Sequence, residues 1–201
     1  IGCLMPKSSV ISVFMVAWMV MAWVWLPLFY TKMRGIRADQ MGWLMGVLGF
    51  GAVFFAFFVP WLSEKFGRRP IISLFCFAGM LVPLGALYGP SDLWMLGAIV
   101  VVGWSASGAF ALFMATVPSE SLPPGYFGAA MGLIQGLGEV IGGFGSPFLS
   151  GWLADQSSLQ TPMFLMIGCN IVAGVTALFL KETAPAVLAR RTDGIAVGAT
   201  A

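Results

Sequence analysis

The stretch PWLSEKFGRRP, residues 60–70, is a short charged segment between two long runs that contain no charged residue. The run before it lies between Asp39 and Glu64, and the run after it extends from Arg69 to Asp92. Each run is long enough for a membrane-spanning helix, which needs about 20 apolar residues. The segment is therefore predicted to be a loop at the membrane surface that joins two membrane-spanning helices.

Charged residues also divide the rest of the chain into long, largely charge-free runs. Hydrophobic residues make up 59% of the 201 residues and charged residues only 9%, whereas roughly 25% of residues are charged in soluble domains. We predict an all-α membrane protein in which residues 1–185 form one domain of six transmembrane helices. These helices are predicted near residues 10–30, 41–63, 70–89, 92–117, 127–152 and 162–180.

Lysine and arginine residues are unevenly distributed between the two sides of the predicted bundle. One side carries seven of them, namely Lys7, Lys65, Arg68, Arg69, Lys181, Arg190 and Arg191, and the other carries three, namely Lys32, Arg34 and Arg37. Because positive residues favour the cytoplasmic side, both termini are predicted to be cytoplasmic in a multi-pass protein of the cell membrane. Residues 186–201 are small and polar and are predicted to be a disordered cytoplasmic tail. Since the chain begins with Ile1, we expect it to be a fragment of a longer protein.

We call residues 60–70 the latch. Gly67 can adopt the positive φ of a tight turn. Glu64 is predicted to lie close to the three positive residues of the latch, Lys65, Arg68 and Arg69. The segment could then act as a charged gating loop, and the alternative interpretation is an ordinary basic loop that only sets the topology.

The order of residues in the latch resembles the signature loop of the major facilitator superfamily, G-x-x-x-D-R-x-G-R-R. In that family the loop joins the second and third helices of each six-helix half. Glu64 stands at the aspartate and Lys65 at the first arginine, while Gly67, Arg68 and Arg69 match and position 60 has proline in place of glycine. The segments VPSE (117–120), GWLAD (151–155) and KETAP (181–185) resemble the second half of such transporters.

This resemblance implies twelve helices in two halves, alternating access, and a substrate site between the halves near the middle of the bilayer. The KETAP segment and the polar tail resemble the end of a full transporter, so the chain is assigned to the carboxy-terminal half. Its six helices would form a three-plus-three inverted repeat, with WLSE (61–64) and WLAD (152–155) at equivalent positions. The missing amino-terminal half would be its partner in the lipid bilayer.

Glu139 is the single carboxylate in the stretch GLIQGLGEVIGGFG, residues 132–145. A charge near mid-membrane costs about 2.5–3.5 kcal/mol on insertion scales unless it faces a cavity or a partner. Helical spacing predicts a face of small and polar residues, namely Gln135, Glu139, Gly142, Gly143, Ser146 and Ser150. We predict that Glu139, Gln135, Ser146 and Asn170 line a substrate and proton pathway. The alternative is that Glu139 only packs, hydrogen-bonded to Asn170, Ser105 or Ser107.

The leading functional prediction is half of a secondary transporter that moves a small organic solute with proton coupling. The segments GEVIGG and KETAP resemble those of the organic anion/proton symporter branch. The alternatives are a drug/proton antiporter, a non-transporting receptor or structural subunit, and a self-sufficient six-helix channel or homodimer.

The sequence lacks the residues that several other classes of function need. The chain contains no histidine, and Cys3, Cys76 and Cys169 have no metal-ligand spacing. We therefore expect no enzyme, no metal and no cofactor. A formal charge of +2 is too small to indicate nucleic-acid binding.

Overall fold

The structure is a computed structural model that describes residues 4–185 and 187–189. Every regular element in those residues is helical, which confirms the predicted all-α class. Within this described part of the chain, six helical segments are long and apolar enough to cross a membrane. We number them span 1 to span 6: Pro6–Met33, Ala38–Phe66, Arg68–Tyr88, Leu93–Ser121, Phe127–Gln156 and Thr161–Leu178. The predicted helix ends lie within about one helical turn of these bounds.

Spans 1, 2 and 6 are continuous, and spans 3, 4 and 5 are interrupted. The continuous helices are α1 (Leu4–Met33), α2 (Ala38–Phe66) and α9 (Thr161–Leu178). Span 3 consists of α3 (Arg68–Ala78) and α4 (Leu81–Tyr88). Span 4 contains α5 (Leu93–Trp104), a 3₁₀ segment (Ser105–Ala109), a π-helical segment (Leu112–Thr116) and α6 (Val117–Ser121). A 3₁₀ turn (Pro124–Tyr126) precedes span 5, which contains α7 (Phe127–Leu137), a π-helical segment (Gly138–Phe144) and α8 (Gly145–Gln156).

Span 1 lies at the centre of the bundle. It packs against spans 5 and 6, while span 2 packs against span 4 and span 3 against span 6. Its residue Trp18 is fully buried and contacts Trp104 of span 4. Helices in a bilayer associate through close packing because lipid tails are as apolar as the side chains.

Glycine residues allow the backbones of neighbouring spans to approach closely. Gly108 of span 4 packs against the carbonyl of Phe55 in span 2. Gly142 of span 5 packs in the same way against the carbonyl of Val13 in span 1. A β-carbon at either glycine would collide with backbone atoms. These contacts fix the spacing between the spans.

Spans 2 and 5 are the least covered by the rest of the bundle. In their most hydrophobic windows only 22% of residues are buried, against 50% in spans 1 and 4. The exposed residues of span 2 include a row of aromatic side chains, namely Phe50, Phe54, Phe57 and Trp61. The outer faces of these two spans must therefore contact lipid or another protein segment.

The predicted tail is described only in part. Residues 187–189 are helical, and the N–H groups of Val187 and Leu188 donate to the carbonyl of Ala184, each at 3.1 Å. Residues 186 and 190–201, which include Arg190 and Arg191, lie outside the described residues.

Candidate functional site

The latch contains a one-residue turn between two helices. Helix α2 continues to Phe66 and α3 begins at Arg68, so Gly67 alone joins them. Its φ of +104° agrees with the predicted tight turn. A β-carbon at Gly67 would also lie 2.5 Å from Oε2 of Glu182. This position therefore requires glycine both for its backbone conformation and for the space that it leaves.

The carboxylate of Glu182 caps the amino terminus of α3. The backbone N–H of Arg68 donates to Oε1 at 2.7 Å, and that of Arg69 donates to Oε2 at 3.2 Å. The N–H groups of Thr183 and Ala184 also donate to Oε1. A carboxylate at this end of a helix satisfies free N–H groups and interacts favourably with the helix dipole. The KETAP segment is thereby tied to the latch.

The side chain of Arg68 is buried beneath the end of span 2. Its Nη2 lies 2.9 Å from Oε1 of Glu120, in an ion pair whose two side chains are only 7% and 19% exposed. Its Nη1 donates to Oγ of Ser63 at 2.6 Å. Oγ1 of Thr183 donates to Oε2 of Glu120 at 2.6 Å. The three segments that the sequence resemblance identified separately, the latch, VPSE and KETAP, thus form one network.

The structure does not pair Glu64 with the positive latch residues. Glu64, Lys65 and Arg69 are exposed, and no ion pair joins Glu64 to any residue that the structure describes. The Lys65 ammonium lies 4.0 Å above the ring of Trp61. The physical reason is that α2 continues for one more turn than predicted, so Glu64 lies on its outer face. The acidic partner of Arg68 comes instead from span 4.

Glu139 lies on the exposed side of span 5, inside the π-helical segment. The side chain of Glu139 extends toward Gly143 of the same helix. Its Oε2 lies 2.9 Å from the position that a β-carbon at Gly143 would occupy. Among the described residues no side chain or backbone group forms a hydrogen bond or ion pair with this carboxylate. Its position near mid-span is therefore not explained by contacts within these six spans.

Asn170, a predicted pathway residue and alternative partner of Glu139, lies elsewhere. It is fully buried, its Nδ2 donates to the carbonyl of Met166 at 2.8 Å, and its Oδ1 touches Gly79 of span 3. Ser105 donates to the carbonyl of Val102. The structure therefore does not bring Asn170 or Ser105 to Glu139.

The predicted polar face of span 5 is divided in two. Gln135 and Glu139 are exposed, whereas Gly142 and Ser150 are buried against span 1. Ser146 is half-buried and donates weakly to the carbonyl of Ala17 at 3.4 Å. A π-helical turn contains more residues than an α-helical turn, so the side chains after it are rotated out of the register that regular spacing assumes. This change of spacing separates the two groups.

Sequence reasoning missed Ser63, Glu120 and Glu182 as partners of the latch. The available signal was that VPSE and KETAP each place a glutamate at the end of a predicted helix on the same side of the membrane as the latch. Arginine and glutamate residues at one membrane surface can pair, but sequence spacing cannot choose among them.

The sequence profile of the Major Facilitator Superfamily matches residues 9–197. The chain belongs to the major facilitator superfamily. This major facilitator chain is 33% identical to the class H tetracycline resistance protein of Pasteurella multocida. The match covers 77% of the chain and 38% of that protein. The chain is 28% identical to the multi-drug resistance efflux pump PmrA of Streptococcus pneumoniae, over 78% of the chain and 40% of that pump.

The cyanate transport protein CynX of Escherichia coli is 30% identical, over 66% of the chain and 34% of that protein. The chain thus spans well under half the length of these relatives. No solved structure matches it significantly. The family and the six apolar spans support a multi-pass membrane protein of the cell membrane.

Proposed function

We propose that this chain is one half of a twelve-helix secondary transporter that moves a small organic solute by alternating access, with a proton carried by Glu139. The second half would be the amino-terminal six helices. The single observation that carries the proposal is the carboxylate of Glu139, which lies on an exposed face near mid-span and has no partner in the described part of the chain. A carboxylate at this depth is costly against lipid, so it must face water, a solute or another protein segment.

Proton coupling follows from the chemistry of such a carboxylate. In an apolar site the neutral form is favoured, and in contact with water the charged form is favoured. A site that opens alternately to the two sides of the membrane would therefore take up a proton in one state and release it in the other. Gln135, one helical turn away and also exposed, can donate a hydrogen bond to the charged form or to the solute.

A partner half is supported by the open surface of spans 2 and 5. Gly128, Gly132 and Gly136 recur at every fourth residue of span 5, and nothing lies within 4 Å of where their β-carbons would be. Small residues at this spacing allow close helix packing, yet no segment of the described chain occupies the row. The relatives are also more than twice as long as the matched part of the chain.

Efflux of an organic solute in exchange for protons is supported better than anion symport. Two of the relatives named above are drug-resistance proteins. All lysine and arginine residues within the described spans lie in the first or last turn, so this half offers no mid-membrane cation to bind an anion. The cyanate transport relative supports the organic anion alternative, and in that case the cation would have to come from the other half.

The latch network would act as a gate at one end of the path. Arg68, Glu120 and Glu182 connect spans 3 and 4 with the segment after span 6, so relative movement of these ends would break paired charges. Breaking them would favour one access state over the other. With both termini cytoplasmic, this gate would lie on the cytoplasmic side.

The test uses the full-length protein that contains this chain, reconstituted in liposomes with an imposed pH gradient. Glu139→Gln keeps the size of the side chain but cannot bind and release a proton. We expect it to abolish pH-driven accumulation and to leave some solute exchange across the membrane. Glu64→Gln is the matched control, because Glu64 is an exposed carboxylate without an ion pair to any described residue, and it should transport like the wild type.

The possible outcomes separate the alternatives. Loss of both accumulation and exchange at normal abundance would assign Glu139 to solute binding instead of proton transfer. Wild-type accumulation by Glu139→Gln would remove its role in coupling. A wild-type protein that moves no solute at all would favour a receptor or a structural subunit, and uncoupled flux would favour a channel.

A further inference from the structure

The half of span 2 that leads to the latch carries an apolar groove on its exposed face. The groove has a volume of about 630 Å³, and the side chains that line it are all hydrophobic, namely Phe50, Val53, Phe54, Phe57, Phe58 and Trp61. Phe50 and Phe57 are 79% and 77% exposed. The groove is therefore open to whatever surrounds this part of the span.

Aromatic rings form a continuous wall along the groove. The rings of Phe54 and Phe58 are stacked with their centroids 5.4 Å apart, and the ring of Trp61 follows that of Phe58 at 6.0 Å. The ammonium group of Lys65 lies 4.0 Å above the Trp61 ring. Because each ring is held by its neighbour, the groove is preformed, and the cation–π contact holds a positive charge at its mouth.

The groove is as long as one leaflet of a bilayer. Phe50 lies near the middle of span 2, which extends from Ala38 to Phe66, and Trp61 lies near its end. Trp61 follows Phe50 by eleven residues, which corresponds to about 16 Å along a helix. Half of the hydrocarbon core of a bilayer is about 15 Å thick. The groove therefore runs from mid-membrane to the level of the lipid headgroups.

Exposed charges at the mouth of the groove favour an anionic group. The side chains of Lys65 and Arg69 are exposed, and neither forms an ion pair with a described residue. Glu64 is an exposed carboxylate beside them, so these three side chains leave a net positive charge. Trp61 is 49% exposed, and its indole N–H can donate to a phosphate or ester oxygen. An occupant with a long apolar chain and a negative headgroup matches both the groove and its mouth.

The other half of span 2 has a surface of a different kind. Gly42, Gly46 and Gly49 recur at three- and four-residue spacing, and nothing lies within 4 Å of the positions where their β-carbons would be. Small residues allow a neighbouring helix to approach closely, whereas large side chains hold it away. Span 2 therefore presents a surface for helix packing in one leaflet and a groove between large rings in the other.

We propose that this groove binds an anionic phospholipid, with one acyl chain against the aromatic side chains and the phosphate beside Lys65. The inference goes beyond the proposed function and does not depend on solute or proton transport. Under the predicted topology the lipid belongs to the cytoplasmic leaflet, which is the leaflet that carries anionic lipids. A lipid at this position fills the space that a helix packed on the glycine row leaves open beside the aromatic residues.

The test is photo-crosslinking of the purified full-length protein in vesicles of phosphatidylethanolamine and phosphatidylglycerol. The probe is phosphatidylglycerol with a photoreactive group at the end of one acyl chain, and labelled peptides are mapped by mass spectrometry. We expect the label within residues 50–61. The same acyl chain on phosphatidylcholine should label this segment about fivefold less, because a lysine near the membrane surface attracts an anionic headgroup.

Two pairs of variants at exposed positions separate the headgroup from the acyl chain. Lys65→Gln should reduce labelling by phosphatidylglycerol to the level of phosphatidylcholine, whereas Lys32→Gln, at the opposite end of the bundle, should not. Phe57→Ala removes one wall of the groove and should reduce labelling by both lipids. Phe148→Ala is its matched control, because Phe148 of span 5 is also 77% exposed. It should be labelled like the wild type.

Three outcomes would overturn the inference. The first is labelling spread evenly over the exposed faces of all spans, and the second is labelling of residues 50–61 that is unchanged in Lys65→Gln. The third concerns another occupant: if Phe57→Cys cross-links to the other half of the protein and lipid does not label this segment, the groove is an interface between protein segments. Because no arm requires transport, a protein that is labelled as expected and moves no solute would overturn the proposed function alone.

Discussion

The carboxylates at the latch end and the carboxylate on the open face of span 5 have opposite surroundings. Glu120 and Glu182 accept hydrogen bonds from the guanidinium of Arg68, from the hydroxyl of Thr183 and from backbone N–H groups. Glu139 accepts none from any described residue. The charges at the latch end have partners within the described spans, whereas the carboxylate of Glu139 has none among the described residues. In the proposed function the first region is a gate whose paired charges stabilise one access state, and the second is where a solute or a partner half would act.

The glycine residues of span 5 repeat this contrast. Gly138 and Gly142 pack against Ser12 and Val13 of span 1, while Gly128, Gly132 and Gly136 have open space at the β-carbon position. Both sets recur at every fourth residue. Their difference shows that one helix presents a packed face and an unfilled face over adjacent turns.

The largest expected effect comes from breaking the ion pair at the latch end. Arg68→Met leaves the largely buried carboxylate of Glu120 without its partner, which we expect to reduce the free energy of unfolding by about 3 kcal/mol. The measurement is the thermal unfolding midpoint of the purified full-length protein. The double variant Arg68→Met with Glu120→Gln should recover part of this loss, because it leaves no unpaired charge. A midpoint equal to that of the wild type for Arg68→Met would mean that the pair does not stabilise this end.

The next effect distinguishes the two glycine rows. Gly142→Ala places a methyl group against the carbonyl of Val13, and overpacking of this kind costs about 1–3 kcal/mol. Gly132→Ala has open space and should leave the unfolding midpoint of an isolated six-span fragment unchanged. If the proposed other half packs on this row, Gly132→Ala should lower the transport rate of the full-length protein, because it obstructs packing or movement of that half. Equal effects of the two variants on stability would remove the distinction between the faces.

An effect within the same range is expected at the turn of the latch. Gly67→Ala forces a side chain into a backbone conformation that is almost restricted to glycine, at a cost of about 2 kcal/mol. The new methyl group would also displace the carboxylate of Glu182. Gly35 has a φ of +65° but open space at its β-carbon position, so Gly35→Ala is the matched control and should cost less. Thermal unfolding of both variants checks the order.

The smallest effect concerns the helix cap. Glu182→Gln retains one oxygen that can accept hydrogen bonds but loses the charge at the amino terminus of α3, so we expect a loss of about 0.5–1 kcal/mol. Lys181→Gln alters a neighbouring exposed residue and serves as the control. The difference should shrink at high salt if the charge is responsible. A salt-independent loss would assign the effect to hydrogen bonding alone.

Much of the fold was predictable from the sequence. The charge-free runs predicted six spans, since a bilayer demands about 20 apolar residues for each crossing. The turn at Gly67 was predictable because a glycine between two helices has few alternatives. The candidate site was predictable only in part. Glu139 could be recognised because charged residues are rare within the predicted spans. Asn170, which was predicted to line the same pathway, is instead buried beside Gly79, away from Glu139.

The sequence by itself determined the number of spans, the position of the turn and the presence of one costly carboxylate, because these depend on local composition and on the thickness of the membrane. Only the tertiary structure decided that Arg68 pairs with Glu120 and not with Glu64, because the choice depends on where three spans end relative to one another. It also decided which glycines of span 5 are packed. The π-helical turn at Gly138–Phe144 shifts the register of the side chains, and a pattern drawn with regular helical spacing does not contain that shift.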